Sequence, residues 1–164
     1  MACRGVHFAI RPEKMSRLLQ ARTDRDLLSI VQDEIEVEWD KEWLYQTDKA
    51  WDAIHRSLTD GQLRFDNGAF PHKAAVLGGE PLYRGDDYIV SLVRPESVGA
   101  VARALARVDK QALREGYSKI SQSDYQGLIS DEDFEYTWDW FDGLAGFFQK
   151  AAEGGRAVIF TVDQ

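Results

Sequence analysis

The stretch "RAVIFTV", Arg156 to Val162, decides how this chain folds. Ala157, Ile159 and the ring of Phe160 are joined by Val158 and Val162, so the residues on both period-two faces are apolar. A run of this length with two apolar faces predicts a central strand that needs cover on each side. A second strand is read in "RGVHFAI", Arg4 to Ile10, where Val6, Phe8 and Ile10 alternate with Gly5, His7 and Ala9. That alternation predicts a half-buried strand, with His7 opposite Phe8 and partly exposed. We therefore expect Val6–Ile10 and Ala157–Val162 to share one sheet, although they stand at opposite ends of the chain.

Between these ends the pattern is mostly helical. Pro12 and Glu13 open a helix in "RPEKMSRLLQA", proline being suited to a first turn. Thr23, with Asp26 three residues on, starts a second whose apolar stripe is Leu28, Val31, Ile35 and Trp39. Asp33, Glu34, Glu36, Glu38 and Asp40 read as its solvated side. Thr47 and Gly61 bracket "TDKAWDAIHRSLTDG" as N-cap and exit, with Trp51, Ile54 and Leu58 as the buried stripe. Pro95 opens a helix that buries Val98, Val101, Leu105 and Val108, and Asp109 caps another through Leu113 and Tyr117. In "SDEDFEYTWDWFDGLAGFFQKAAEGG", Ser130 and Asp133 resemble a capping box. Phe134, Trp138, Phe141, Ala145, Phe148 and Ala152 then share one stripe of a single long helix, flanked by Tyr136, Trp140 and Phe147 and ended by Gly154-Gly155. Two further strands are expected at Ala74–Leu77 and Tyr88–Val93. Strand, helices, irregular loop, strands, helices and strand do not alternate regularly. The order predicts an α+β fold: a small mixed sheet containing both chain ends, packed with several helices, as one domain over residues 1–164.

Composition bounds the chemistry. The 164 residues carry 44% hydrophobic side chains, enough for a single core. Twenty basic against 28 acidic residues give a formal charge of −8, and the basic ones are dispersed. Phosphate neutralisation needs clustered Lys and Arg, so nucleic acid and anionic membranes are disfavoured as partners. The lone Cys3 excludes an internal disulfide and a cysteine-rich zinc site. "MACRGVHFAIRPEK" does not read as a signal peptide, and no apolar run approaches the roughly 20 residues of a membrane span. A cytoplasmic protein is expected.

No metal or cofactor is expected either. His7, His55 and His72 are isolated in sequence, and no phosphate loop, dinucleotide fingerprint or nucleophile elbow occurs. The two glycines of "LGGEPL" read as a tight turn. The one candidate pocket combines Trp51 and His55 with Gly78, Gly79 and Glu80. His55 lies one turn after Trp51 on the apolar side of its helix, where a core histidine is the first reading and a pocket residue the second. Lys49, six residues earlier, diverges from it around the helix.

Several segments together resemble a known family. "GVHFAI", "DKAWDAIHRSLTDG", "AVLGGEPL", "LVRPESVGAVARAL" and "FFQKAAEGGRAVIFTV" are similar, in the same order, to the YfbM-like family of bacterial proteins. The most telling motifs are Lys49-Ala50-Trp51 with His55, and the Gly78-Gly79-Glu80-Pro81 turn. Family members often carry a Tyr-Pro…Trp stretch before the last long helix; here "SDYQGLISDED" has Tyr125 with no proline after it. The resemblance implies an α+β fold, a domain of unknown function and no assigned substrate. The expectation is an interaction module for a protein or a small ligand. Its alternative is a small-molecule enzyme with His55 as acid or base and Glu80 as partner. An acidic partner for a basic toxin rests on charge alone.

Overall fold

A computed structural model of the protein describes residues 3–163. Five strands form one sheet: β1 (Gly5–Ile10), β2 (Leu44–Asp48), β3 (Glu80–Pro81), β4 (Tyr88–Val93) and β5 (Ala157–Asp163). Their spatial order is β2-β1-β5-β4-β3, so the two chain ends lie side by side at the centre. Every pairing is antiparallel, so the sheet expected to be mixed uses one type of ladder. β2 and the two-residue β3 form its edges, and short edge strands limit unwanted pairing.

Both faces are covered. Helices α1 (Pro12–Gln20) and α2 (Asp24–Ile30), continued by a π-helical turn at Val31–Glu36, lie on one face. There Leu18, Leu27, Val31 and Ile35 pack against Val6, Phe8, Ile10, Val90 and Ile159. On the other face are α3 (Trp51–Leu58), α4 (Pro95–Ala106), α5 (Lys110–Tyr117), α6 (Asp131–Phe141) and α7 (Leu144–Glu153). Their core joins Ile54, Val98, Leu105, Phe134 and Phe148 to Val158, Phe160 and Val162. Successive residues of β5 thus enter opposite cores, which is why its sequence is apolar throughout. No helix among the described residues is long and apolar enough to cross a membrane.

The double cover corrects the reading of His7. It points into the α3–α7 face, is fully buried, and lies among the rings of Phe147, Phe148 and Phe160. Its Nε2 donates to Ala75 O at 2.7 Å, while Nδ1 meets no hydrogen-bond partner among the described residues. Burial depresses the imidazole pKa to about 4.

Other local expectations changed as well. The helix starts at Thr23, Asp109 and Ser130 are made by side chains accepting from Asp26, Ala112 and Asp133 N–H, as expected. Thr47, in contrast, is no cap: it belongs to β2 and its hydroxyl donates to Gly5 O, while Ala50 precedes α3. Ala74–Leu77 is buried as expected but curls into a 3₁₀ turn at His72–Ala75 instead of a strand. Glu36 leaves the solvated side to accept from the Tyr88 hydroxyl at 2.5 Å and Thr161 at 2.9 Å. In the second helix it is Leu27, more than Leu28, that is buried.

The long aromatic helix is two helices. Tyr45 Oη donates to Trp140 O at 2.6 Å and accepts from Gly143 N–H at 3.1 Å. A hydroxyl inserted between a helical carbonyl and an N–H three residues on interrupts the ladder, and α6 ends there. Phe134, Phe141 and Phe148 are buried across the break, Trp138 is half-buried, and Glu135, Asp139 and Asp142 are exposed. Of the flanking aromatics only Tyr136 is exposed, because Phe147 is buried and Trp140 is half-buried.

Candidate functional site

Of the five residues singled out in the sequence, Trp51 and His55 are buried, Gly78 and Gly79 are half-buried and Glu80 is exposed. His55 is 1% exposed. Its Nε2 donates to Asn67 Oδ1 at 2.9 Å and its Nδ1 accepts from Leu77 N–H at 3.4 Å. Burial, chiefly, lowers its pKa. Trp51 is buried against Phe160 and donates through Nε1 to Cys3 O at 2.9 Å. Gly78 and Gly79 follow Leu77, so the turn does adjoin His55 through the backbone. At Gly79 a Cβ would stand 2.5 Å from Leu92 O, a close approach only glycine permits. Glu80, however, is exposed and pairs with Arg94 at 3.0 Å. The geometry therefore leaves His55 without a carboxylate partner at Glu80. Lys49 is exposed.

An open cavity of about 340 Å³ lies elsewhere, at the Ile10 end of β1. It is built by the sheet register. β1 and β5 pair with Ile10 opposite Ala157, so Arg11 and Arg156 each flank the last pair of the ladder, near enough for the Arg11 charge to act on Arg156. Two like charges held this near repel, so the pair has an electrostatic cost. Arg11 is also the N-cap residue of α1, held extended ahead of Pro12. Arg156 follows Gly155, whose φ of +64° turns the chain out of α7 and into β5.

Arg156 is fixed on two sides. Its guanidinium carbon lies 3.6 Å from the centroid of the Trp43 ring, and Nη1 donates to Ala9 O at 3.2 Å. Lys150 approaches the same indole at 4.5 Å, and Trp43 O accepts from Ala9 N–H at 2.8 Å. Among the described residues neither Arg11 nor Arg156 has a carboxylate within ion-pair distance. Burial, then the nearby Arg11 charge, pull the Arg156 guanidinium below its ordinary pKa. Lys14 also lines the cavity, but its ammonium is bound to Glu34 at 2.6 Å, with Arg17 on the same carboxylate. The salt links hold Glu34 at a pKa of about 2. Phe8, Ile10 and Ile35 supply apolar wall, and Glu38 and Asp40 stand on the lining as acids. Such a cavity can take a small molecule with a polar head and an apolar body.

None of these residues was read as a site residue in the sequence. A signal existed: "FAIR" and "RAVIF" each place an arginine at the inner end of a terminal strand, and antiparallel pairing of the two ends brings them together. Trp43 carried no such signal, since its place depends on β2. Among the described residues no cluster of three or more His, Cys, Asp or Glu could hold a metal ion.

Comparison with known proteins agrees with this architecture. The family model described as "Domain of unknown function (DUF1877)" matches residues 1–161. Among solved structures, the chain is similar to "The Crystal Structure of a Protein of Unknown Function YfbM from Escherichia coli". The two share 22% sequence identity over 97% of this chain and 99% of that one, with a TM-score of 0.72. At that identity the likeness establishes a shared fold. No curated protein matches the chain.

Proposed function

We propose that this chain, which belongs to the DUF1877 family, is a cytoplasmic small-ligand binding module whose site is the cavity at the Ile10 end of β1. One observation carries the reading: two arginines that flank the end of the central ladder, with no carboxylate at ion-pair distance among the described residues, line one open cavity. Neighbouring cations cost stability, and a site that recovers this on binding gives the cost a use. The cavity is walled by residues of the sheet and of the helix-bearing segments beside it, and a site preformed in this way costs less ordering on binding. The free Cys3 suits a reducing compartment.

An NMR fragment screen tests the proposal. Hits are expected to shift the backbone amides of Ala9, Ile10 and Arg11 together with the Trp43 indole. Hits that shift His55, Asn67 and Leu77 instead would move the site to the His55 helix and favour the enzyme reading. Hits scattered over neither region would remove the binding module.

A further inference from the structure

The cavity's chemistry is specific enough to name a ligand class, on the premise that the cavity is the binding site. Three sources of positive potential meet there. Arg156 uses one N–H on Ala9 O and holds its guanidinium carbon 3.6 Å from the Trp43 ring centroid, so most of its five donors remain uncommitted. Arg11 stands near it, exposed and with no carboxylate at ion-pair distance among the described residues. Helix α1 begins at Pro12 with no side-chain cap, which leaves N–H groups of its first turn unpaired at the positive end of its dipole. Lys14 is committed to Glu34, a carboxylate it shares with Arg17, so its ammonium is not free to take the head group.

The remaining lining narrows the ligand further. Phe8, Ile10 and Ile35 offer apolar surface for a hydrocarbon body. Asp40, Glu42 and Glu38 lie close enough to act on Arg156 and offset part of its charge, and Glu38 and Asp40 on the lining would repel a second anionic group. We infer that the cavity takes a small organic anion with one oxyanion head, carboxylate or phosphate, bridging Arg11 and Arg156, and an apolar body against Phe8 and Ile35. A planar, two-oxygen head matches the fork of a guanidinium and can accept from both arginines at once.

Four probes of one shape separate the possibilities: phenylacetate, phenyl phosphate, 2-phenylethanol and phenethylamine, titrated by NMR at low salt. One or both anions should bind with the Trp43 signature, and which of them is tighter distinguishes a carboxylate from a phosphate head. The alcohol and amine should bind roughly tenfold or more weakly, the scale of one charge-assisted hydrogen bond. Arg11→Gln, at an exposed position, and Arg156→Gln should each weaken the anion about ten- to hundredfold. Equal binding of alcohol and acid, or unchanged binding by Arg11→Gln and Arg156→Gln, overturns the anion inference while the cavity stands. So does a panel that binds nowhere although other fragments reach the cavity. If no fragment of any class reaches the cavity, the binding module itself has failed.

Discussion

His55 Nε2 and Asn67 Oδ1 lie 2.9 Å apart, and this bond ties α3 to the loop that follows it. The amide of Asn67 continues the link, with Nδ2 facing Thr59 Oγ1, Asp60 Oδ1 and Gln62 O at 3.1, 2.6 and 2.9 Å. Removing one partner strands buried donors and acceptors. Asn67→Ala and His55→Leu should each lower stability by about 1–3 kcal/mol. Urea unfolding checks this, and a melting curve unchanged in both variants would contradict a structural role. The same variants should bind cavity ligands like the parent.

His7 makes stability sensitive to acid. Its pKa falls from 6.5 in the unfolded chain to about 4 in the fold. The unfolded state therefore takes up a proton between these values and the folded state does not. The stabilisation is complete above pH 6.5 and is lost as pH drops toward 4. The loss should reach about 3 kcal/mol, at roughly 1.4 kcal/mol per pKa unit. Unfolding free energies of parent and His7→Gln, measured at pH 7 and pH 4, should differ in their pH slope by this amount. Parallel slopes would refute it.

Arg56 anchors α3 to the segment before α6. Its side chain is 4% exposed and reaches Asp52 at 2.5 Å and Asp124 at 2.8 Å, with Asp124 O and Gly61 O as further acceptors. Asp124 is 64% exposed, so Asp124→Asn should cost no more than about 1 kcal/mol. Arg56→Met should cost about 2–3 kcal/mol, since it strands the partly buried Asp52 and two backbone carbonyls. Equal effects of the two substitutions in chemical denaturation would show that the arginine is not the centre of this link.

Gly116 sets helix propensity against packing. Within α5 an alanine would gain about 1 kcal/mol over glycine. Here its Cβ would fall 1.9 Å from Ser57 O on α3, and a backbone carbonyl of a packed helix cannot swing aside. Overpacking of this kind costs about 1–3 kcal/mol or more, so packing should win. Gly116→Ala is expected to lower the melting temperature. A rise would mean that the α3–α5 contact yields easily.

What the sequence determined by itself is what short-range physics controls. The caps at Thr23, Asp109 and Ser130 and the prolines opening α1 and α4 act within one turn, so the starts of α1, α2, α4, α5 and α6 were legible, while those of α3 and α7 were not. The two apolar faces of Ala157–Val162 fixed β5 at the centre, because a strand buried on both sides has to carry them. Tertiary structure decided whatever depends on a distant neighbour. His7 looks half-exposed by alternation and is buried because helices cover both faces of the sheet. The aromatic stripe reads as one helix until the Tyr45 hydroxyl, nearly a hundred residues away, enters its ladder. Ala74–Leu77 announces burial but not conformation, since a short apolar run packs equally well as strand or turn. The candidate site belongs to this second class: Arg11, Trp43 and Arg156 meet only through strand register, and register is a property of the assembled sheet.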